Sequence, residues 1–189
     1  MIVPLKQPPW WSGAVFYQIY IRSFQDSNGD GIGDLRGIIS RLDYLQSLGV
    51  EGLWINPFYP SPQVDFGYDI MNYFDIDPQF GTMADFEELV REAKKRQLKI
   101  IIDLVLNHTS DRHPFFIDSS SGNHSAKRDW YIWREPAENG GPPNNWAGFE
   151  KSSWTFDRKS GQYYYHFFYR QQPDLNWRNP AVKAVSYTH

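Results

Sequence analysis

The stretch "LKIIIDLVLNH", Leu98 to His108, carries the strongest fold signal in the sequence. It is apolar almost throughout and rich in β-branched residues, a composition that predicts a β-strand. A run without alternation of apolar and polar residues is typical of a parallel strand covered on both faces. The stretch contains one carboxylate, Asp103, which needs a strong partner because burial of a lone charge is costly.

Two further strands and two helices are predicted upstream. The strands are "AVFYQIY" (Ala14–Tyr20) and "VEGLWINPF" (50–58), and the helices are "LRGIISRLDYLQSLG" (35–49) and "MADFEELVREAKKRQ" (83–97). Gly49 is a typical helix stop. The order β–α–β–α–β predicts an α/β fold with a parallel sheet, either open or closed into a barrel. The apolar helix positions are Leu35, Ile38, Ile39, Leu42, Leu45 and Leu48, then Phe86, Leu89, Val90 and Ala93.

From Thr109 to about Pro173 the sequence is rich in Gly, Pro, Asn, Ser and Trp, and no helical period persists. More than sixty residues without regular patterning predict an irregular insertion rather than an ordinary loop. Within it, "WTFDRKSGQYYYHFF" (154–168) places two aromatic runs around a Lys-Ser-Gly turn, which predicts a β-hairpin. After Pro180, the sequence "AVKAVSYTH" predicts the beginning of a helix.

Composition excludes several classes of protein. The 189 residues are 41% hydrophobic and 22% charged, which is typical of a globular chain. The net charge of -3 gives no general attraction to nucleic acid or anionic membranes, and the absence of cysteine excludes disulfides. The N-terminal "MIVPLKQPPWWSG" has no continuous apolar segment, and no run is long enough to span a bilayer. We expect a cytoplasmic protein without nucleic-acid or membrane partners, and the oligomeric state stays open.

The loop "DSNGDGIGD" alternates oxygen-bearing side chains with glycines. Asp26, Asn28, Asp30 and Asp34 match the early positions of a calcium-binding EF-hand loop. The twelfth position, where that loop has a bidentate glutamate, is Gly37, and a predicted strand rather than a helix precedes the loop. Two interpretations remain open at this point: a bound cation cross-links the loop, or the side chains form turns with the loop's own backbone.

Polar and aromatic residues also follow the predicted strands, at the ends where parallel sheets bind ligands. "VDFGYDI" (64–70) places Asp65, Tyr68 and Asp69 in one loop, and His108 ends the third predicted strand. A carboxylate accepts hydrogen bonds from sugar hydroxyls, and an aromatic face covers the C–H groups of a sugar. The alternatives are a turn aspartate, a core tyrosine and a structural histidine. The residues by themselves leave the choice open.

Four motifs together resemble the α-amylase superfamily of glycoside hydrolases: "DSNGDGIGDLRGI", "DFGYDI", "DLVLNHTSDRH" and "QPDLNWRNP". The resemblance runs from about Ala14 to Val182 and is closest to the α-glucosidase branch, which includes oligo-1,6-glucosidases and trehalose synthases. It implies the N-terminal portion, with the first three βα units, of a (β/α)8 TIM barrel. Residues 1–108 would begin the catalytic barrel, residues 109–175 would form an inserted domain B, and residues 176–189 would return to the barrel and be truncated there.

The resemblance also implies two sets of site residues. The loop would hold a structural Ca²⁺ or Mg²⁺, and a pocket would hold the terminal glucose of a small oligosaccharide substrate. The implied metal ligands are Asp26, Asn28, Asp30, the carbonyl of Ile32, and Asp34. In the pocket, Asp65 and Tyr68 would hold the glucose, His108 would bond a hydroxyl, and Asp103 would order the site. Phe168 and Gln172 would form the wall on the insertion side.

Members of the resembled family are retaining enzymes, in which one carboxylate attacks the sugar and a carboxylic acid protonates the leaving oxygen. Their nucleophile lies in a "GFRxD"-type motif after strand four, and nothing in this sequence matches it. The resemblance therefore implies an α-glucosidase whose nucleophile and general acid lie beyond His189, so that the chain alone is inactive. Alternatives are a trehalose synthase or other glucosyl-transferring relative, a non-catalytic transporter heavy chain, and a free-standing cation-binding or sugar-binding module.

Overall fold

The computed structural model describes residues 8–187, which form two compact units. The first unit comprises the chain up to Asn56 together with Pro78–Asp103, and the second comprises Pro57–Asp77 together with the chain from Leu104 onward. These bounds differ from the predicted domain boundaries because residues 57–77 pack with the later part of the chain. The division into barrel and inserted domain stays a prediction.

The first unit contains a three-stranded parallel sheet. Strands β1 (Phe16–Ile19), β2 (Gly52–Ile55) and β3 (Lys99–Ile102) lie in the order β1-β2-β3. The predicted strands and their parallel order are confirmed, but β3 is much shorter than the apolar run that predicted it. The prediction that this strand is covered on both faces is wrong for the described residues, since β3 is an edge strand and Ile102 is 40% exposed.

The helix predicted over 35–48 is two helices in the structure, α2 (Leu35–Ser40) and α3 (Leu42–Ser47), preceded by a short α1 (Ile21–Phe24) that was not predicted. The break lies at Arg41, whose N–H bonds the carbonyl of Ile38 three residues back and tightens the turn. Gly49 has a φ of 75°, as expected for a residue that ends a helix.

Helix α4 (Met83–Lys95) confirms the second predicted helix. Thr82 and Asp85 form a reciprocal capping box at its start, which satisfies two backbone N–H groups. Of the four predicted core positions, Leu89 and Ala93 are buried, whereas Val90 is 40% exposed. The apolar pattern therefore identified the helix but overestimated the width of its buried face.

The second unit is built around an antiparallel sheet with strand order β4-β6-β5. Its strands are β4 (Trp133–Arg134), β5 (Trp154–Asp157) and β6 (Gln162–Tyr165), and the β5–β6 pair confirms the predicted hairpin. One short helix, α5 (Pro114–Ser119), and a 3-10 turn (Arg128–Trp130) lie in the segment predicted to be irregular. Four aromatic residues of this unit form a buried cluster: Phe116, Tyr131, Trp133 and Tyr164.

The helix predicted after Pro180 is present as α6 (Pro180–Tyr187), and the last two residues of that prediction lie outside the described part of the chain. Across residues 8–187, no helix combines the length and the apolar character that a membrane crossing requires.

Gly37 provides a test of the packing in the first unit. A Cβ atom at this position would lie 1.9 Å from the carbonyl oxygen of Gln25. Although alanine favours helices, we expect Gly37→Ala to lower the free energy of unfolding by about 1–3 kcal/mol because the backbone must shift. Gly122→Ala is the control, since a Cβ there meets nothing within 4 Å. Equal stability of both variants in urea denaturation would contradict this packing.

Candidate functional site

The loop before helix α4 wraps around a buried carboxylate, that of Asp69. Asp69 accepts hydrogen bonds from the hydroxyl of Ser61 at 2.9 Å and from the backbone N–H groups of Val64 and Asp65, both at 3.0 Å. Gly67 has a φ of 100°, and a Cβ there would lie 2.7 Å from the carbonyl oxygen of Pro57. The sequence "DFGYD" therefore folds locally to hold the backbone of Asp65 in one place.

A hydrogen-bonded chain links three of the predicted pocket residues. The side-chain amide of Gln172 donates to Asp65 Oδ2 at 2.9 Å, and the same nitrogen lies 3.1 Å from His108 Nε2. His108 Nε2 also lies 3.1 Å from the carbonyl oxygen of Tyr68. Gln172 and His108 are buried, with 0% and 4% of their surface exposed, whereas Asp65 and Tyr68 are half-buried. Asp65 and Tyr68 therefore retain surface that a ligand can contact.

His108 Nε2 faces two groups of opposite character. The carbonyl oxygen of Tyr68, 3.1 Å away, accepts a hydrogen bond, whereas the amide nitrogen of Gln172, also 3.1 Å away, donates one. Its Nδ1 lies 3.4 Å from the Asn107 amide nitrogen. Burial lowers the pKa of His108, and the Tyr68 carbonyl opposes that effect. The ring is therefore neutral at neutral pH.

The Phe168 ring covers this network. Its centroid lies 5.2 Å from that of His108, with the two rings at 63° in an edge-to-face arrangement. The side-chain amide oxygen of Gln172, Oε1, accepts the Tyr169 N–H at 3.1 Å, which joins the turn that carries Phe168 to the Asp65 contact. The structure therefore brings together Asp65, Tyr68, His108, Phe168 and Gln172.

Asp103, the sixth predicted pocket residue, belongs to the first unit. Its carboxylate accepts a hydrogen bond from the indole N–H of Trp54 at 3.2 Å. The need for a partner, inferred from its place in an apolar run, is thus met within the sheet, since Trp54 lies on β2. Its role in ordering the pocket stays a prediction.

The "DSNGDGIGD" loop is organised by hydrogen bonds to its own backbone. Asp26 accepts from the N–H groups of Asn28, Gly29 and Gly31, Asn28 Oδ1 accepts from Asp30 N–H, and Asp30 Oδ1 accepts from Ile32 N–H. These bonds lower the pKa of Asp26, with the bond from Gly31 having the largest effect. The loop is therefore a series of Asx-turns.

Asp34, the last residue of this loop, caps the N-terminus of α2. Its Oδ1 accepts Gly37 N–H at 2.7 Å, and its Oδ2 accepts the N–H and O–H of Ser27. Carboxylate oxygens retain further lone pairs after such bonds, and hard oxygen donors are what Ca²⁺ and Mg²⁺ prefer. Among residues 8–187, however, no three acidic, histidine or cysteine side chains are grouped as metal ligands. The donor chemistry fits a cation, and the ligand set stays a prediction.

Sequence reasoning missed two residues that organise the pocket: His166 and Asp174. Both are buried, and each bonds a backbone group of the turn that carries Phe168. The sequence feature that could have identified Asp174 is its position as a carboxylate between Pro173 and Leu175 in the motif "QPDLNW". Burial raises its pKa from 3.8 to about 6, while bonds from Phe167 and Asn107 act in the opposite direction.

The raised pKa of Asp174 predicts how stability depends on pH. Between about pH 4 and 6 the folded chain retains a proton that the unfolded chain releases, so the free energy of unfolding falls as pH rises through this window. Asp174→Asn should remove about 2–3 kcal/mol of that fall, because the amide does not ionise. Urea denaturation of both proteins at pH 4.5 and 7 measures the difference. The same fall in both would contradict the assignment.

Comparisons with known proteins show which family the chain resembles. Residues 18–188 match the family described as "Alpha amylase, catalytic domain". A probable alpha-glucosidase of Rhizobium meliloti (strain 1021) is 55% identical over 177 residues, which are 93% of this chain and 32% of that protein. A palatinase of Erwinia rhapontici is 57% identical over 182 residues, which are 96% of this chain and 33% of that protein.

Solved structures agree with this similarity. The isomaltulose synthase of Erwinia rhapontici NX5 has a TM-score of 0.94 at 54% identity, and the match covers 97% of this chain and 33% of that one. A trehalose-6-phosphate hydrolase of Bacillus licheniformis has a TM-score of 0.94 at 51% identity, covering 96% and 33%. The chain thus spans about a third of the length of these relatives. Its sequence and its fold both show that it belongs to the alpha-amylase catalytic-domain family.

Proposed function

We propose that this chain forms the glucose-binding part of a retaining α-glucosidase-type glycoside hydrolase that acts on the non-reducing terminal glucose of small α-glucosides. The observation that carries the proposal is the bond from Gln172 to Asp65 beside the neutral imidazole of His108. Relatives more than 50% identical include alpha-glucosidases and oligo-1,6-glucosidases, which supports the same substrate class.

The pocket residues suit a sugar in complementary ways. Asp65 has acceptor capacity beyond the single bond from Gln172, so its carboxylate can accept sugar hydroxyls. Tyr68 and Phe168 are half-buried, and their rings offer apolar surface to the C–H faces of the sugar. His108 Nε2 lies 3.1 Å from the Tyr68 carbonyl oxygen and can exchange that contact for a hydrogen bond with a sugar hydroxyl, which both donates and accepts.

Hydrolysis with retention requires a nucleophilic carboxylate and a carboxylic acid about 5–5.5 Å apart across the scissile bond. In the family that the sequence resembles, these residues follow strands four and five of the barrel. The sequence has no "GFRxD" motif. We therefore assign no catalytic residue to this chain and propose that it binds glucose without cleaving glucosides.

Transfer of a glucosyl group is the second candidate function. Isomaltulose synthases and an alpha-glucosyl transfer enzyme are among the solved structures with TM-scores of 0.93–0.94, and one of these synthases is described in complex with its natural substrate sucrose. Hydrolases and transferases of this kind need the same glucose pocket. They differ in the group that accepts the glucosyl unit, which is water in one case and a sugar hydroxyl in the other.

The glucose pocket can be tested by titrating the 189-residue chain with D-glucose and following its ¹⁵N-amide NMR spectrum. We expect Asp65→Asn and His108→Asn each to weaken binding about tenfold, since each removes a hydrogen bond that involves a charged or buried group. Asp157→Asn, at the end of β5, is the matched control and should bind as the wild type does. We also expect no hydrolysis of p-nitrophenyl α-glucoside by the chain. Absence of glucose binding, or turnover that survives purification, would refute the proposal.

We also propose that the "DSNGDGIGD" loop holds one structural Ca²⁺ or Mg²⁺ through Asp26, Asn28, Asp30, the Ile32 carbonyl and Asp34. When bound, the cation would neutralise the carboxylates and cross-link the loop. Its support is the alternation of hard oxygen donors in a loop already curved by Asx-turns.

Thermal unfolding tests the cation. The wild-type chain should unfold several degrees higher in millimolar CaCl₂ or MgCl₂ than in EDTA, because an ion that binds only the folded state stabilises it. Asp30→Ala should abolish most of that difference by removing one ligand. Asp157→Ala, which alters a different turn, should retain it. Equal unfolding temperatures of the wild type with cation and with EDTA would exclude the site.

A further inference from the structure

The turn that follows β6 determines the shape of one side of the proposed glucose pocket. It carries Phe168, whose ring lies against His108, and it ends at Gln172, which bonds Asp65. Short turns of this kind have little intrinsic rigidity, so their position depends on side chains that bond the backbone. Two buried side chains outside the pocket make such bonds here, Asp174 and His166.

Asp174 fixes the beginning of the turn. Its Oδ1 accepts the N–H of Phe167 at 3.0 Å, and its own N–H donates to the carbonyl of Tyr165 at 3.1 Å. Asp174 is also paired with His108 in an antiparallel β-bridge. One residue therefore links the backbone beside Phe168 to the backbone of the histidine on which the Phe168 ring packs.

His166 fixes the next residue of the turn. Its Nδ1 lies 3.1 Å from the carbonyl oxygen of Phe168, and its Nε2 lies 2.9 Å from the hydroxyl of Thr155. A carbonyl oxygen only accepts hydrogen bonds, so Nδ1 carries the proton and Nε2 accepts from Thr155. Burial lowers the pKa of His166, which keeps the ring neutral and in this tautomer at neutral pH.

The opposite side of the turn is closed by backbone. Phe149 N–H donates to the carbonyl oxygen of Phe167 at 2.9 Å, and a Cβ on Gly148 would lie only 2.1 Å from the same oxygen. The turn therefore has no room to relax toward this segment. Its bonds to Asp174 and His166 determine where it rests on the other side.

We infer that Asp174 and His166 are positioning residues of the proposed glucose pocket, which hold the turn so that the Phe168 ring lies against His108. Neither is assigned a contact with the sugar; each acts through the backbone of Phe167 or Phe168. This inference rests on the proposed function for its effect on glucose, but the ring geometry that it explains exists without a ligand.

The test compares four variants of the 189-residue chain. Asp174→Ala removes the acceptor for Phe167 N–H, whereas Asp174→Asn keeps an acceptor oxygen in the same place. Thr155→Val removes the hydroxyl that donates to His166 Nε2 and keeps a side chain of nearly the same shape, so the imidazole is left with the Phe168 carbonyl as its remaining bond. Asp157→Ala is the matched control, because Asp157 also accepts a backbone N–H, that of Ser160 at 3.1 Å, in a different turn.

Two measurements are made on each variant: the nuclear Overhauser effect between the Phe168 and His108 ring protons, and the dissociation constant for D-glucose. We expect Asp174→Ala to abolish the ring contact and raise the dissociation constant about tenfold. Thr155→Val should weaken both in the same direction. Asp174→Asn and Asp157→Ala should keep the contact and bind glucose within twofold of the wild type.

The outcomes separate this inference from the proposed function. If the wild-type chain does not bind glucose, the function fails, and the ring contact in the variants still decides the inference. A ring contact unchanged in Asp174→Ala and Thr155→Val would overturn the inference. If Asp174→Ala does not fold, Thr155→Val decides. Loss of glucose affinity in Asp157→Ala as well would overturn it too, since the effect would then be general destabilisation.

Discussion

The hydrogen bond from the side-chain amide of Gln172 to Asp65 joins residues 107 positions apart in the sequence and defines the candidate site. Each end of this bond is held by a separate local structure. Asp65 is placed by the loop folded around Asp69, and Gln172 by the turn that Asp174 and His166 anchor. His108 lies against the same amide nitrogen, buried and neutral. The bond can therefore form only when the loop around Asp69 and the turn after β6 are both folded.

Buried polar side chains do most of the organising in this chain. Asp34, Asp69 and Asp174 are all buried carboxylates, and each accepts hydrogen bonds from backbone N–H groups that a turn or helix start leaves without a helical or sheet partner. Such bonds offset the cost of burying the charge. At Asp174 these bonds offset that cost only in part, since burial still raises its pKa to about 6. Asp174 keeps its position beside the pocket at some cost in stability.

The two candidate sites differ in how much of their geometry is present in the chain by itself. In the proposed cation loop, the oxygen donors bond their own backbone, and a bound ion would add to turns that already exist. In the proposed glucose pocket, the donors and rings bond one another across the second unit, and the buried pair His108 and Gln172 supports the half-buried surface of Asp65, Tyr68 and Phe168.

The sequence by itself determined the elements that depend on local pattern. The apolar runs predicted the three parallel strands, the aromatic runs around a Lys-Ser-Gly turn predicted the hairpin, and the motifs named the residues that the pocket brings together. Only the tertiary structure decided the break at Arg41, the short extent of β3, and the roles of His166 and Asp174. Periodicity and propensity act over a few neighbouring residues, whereas burial, tautomer and pKa depend on partners that lie far away along the chain and come close only when it folds.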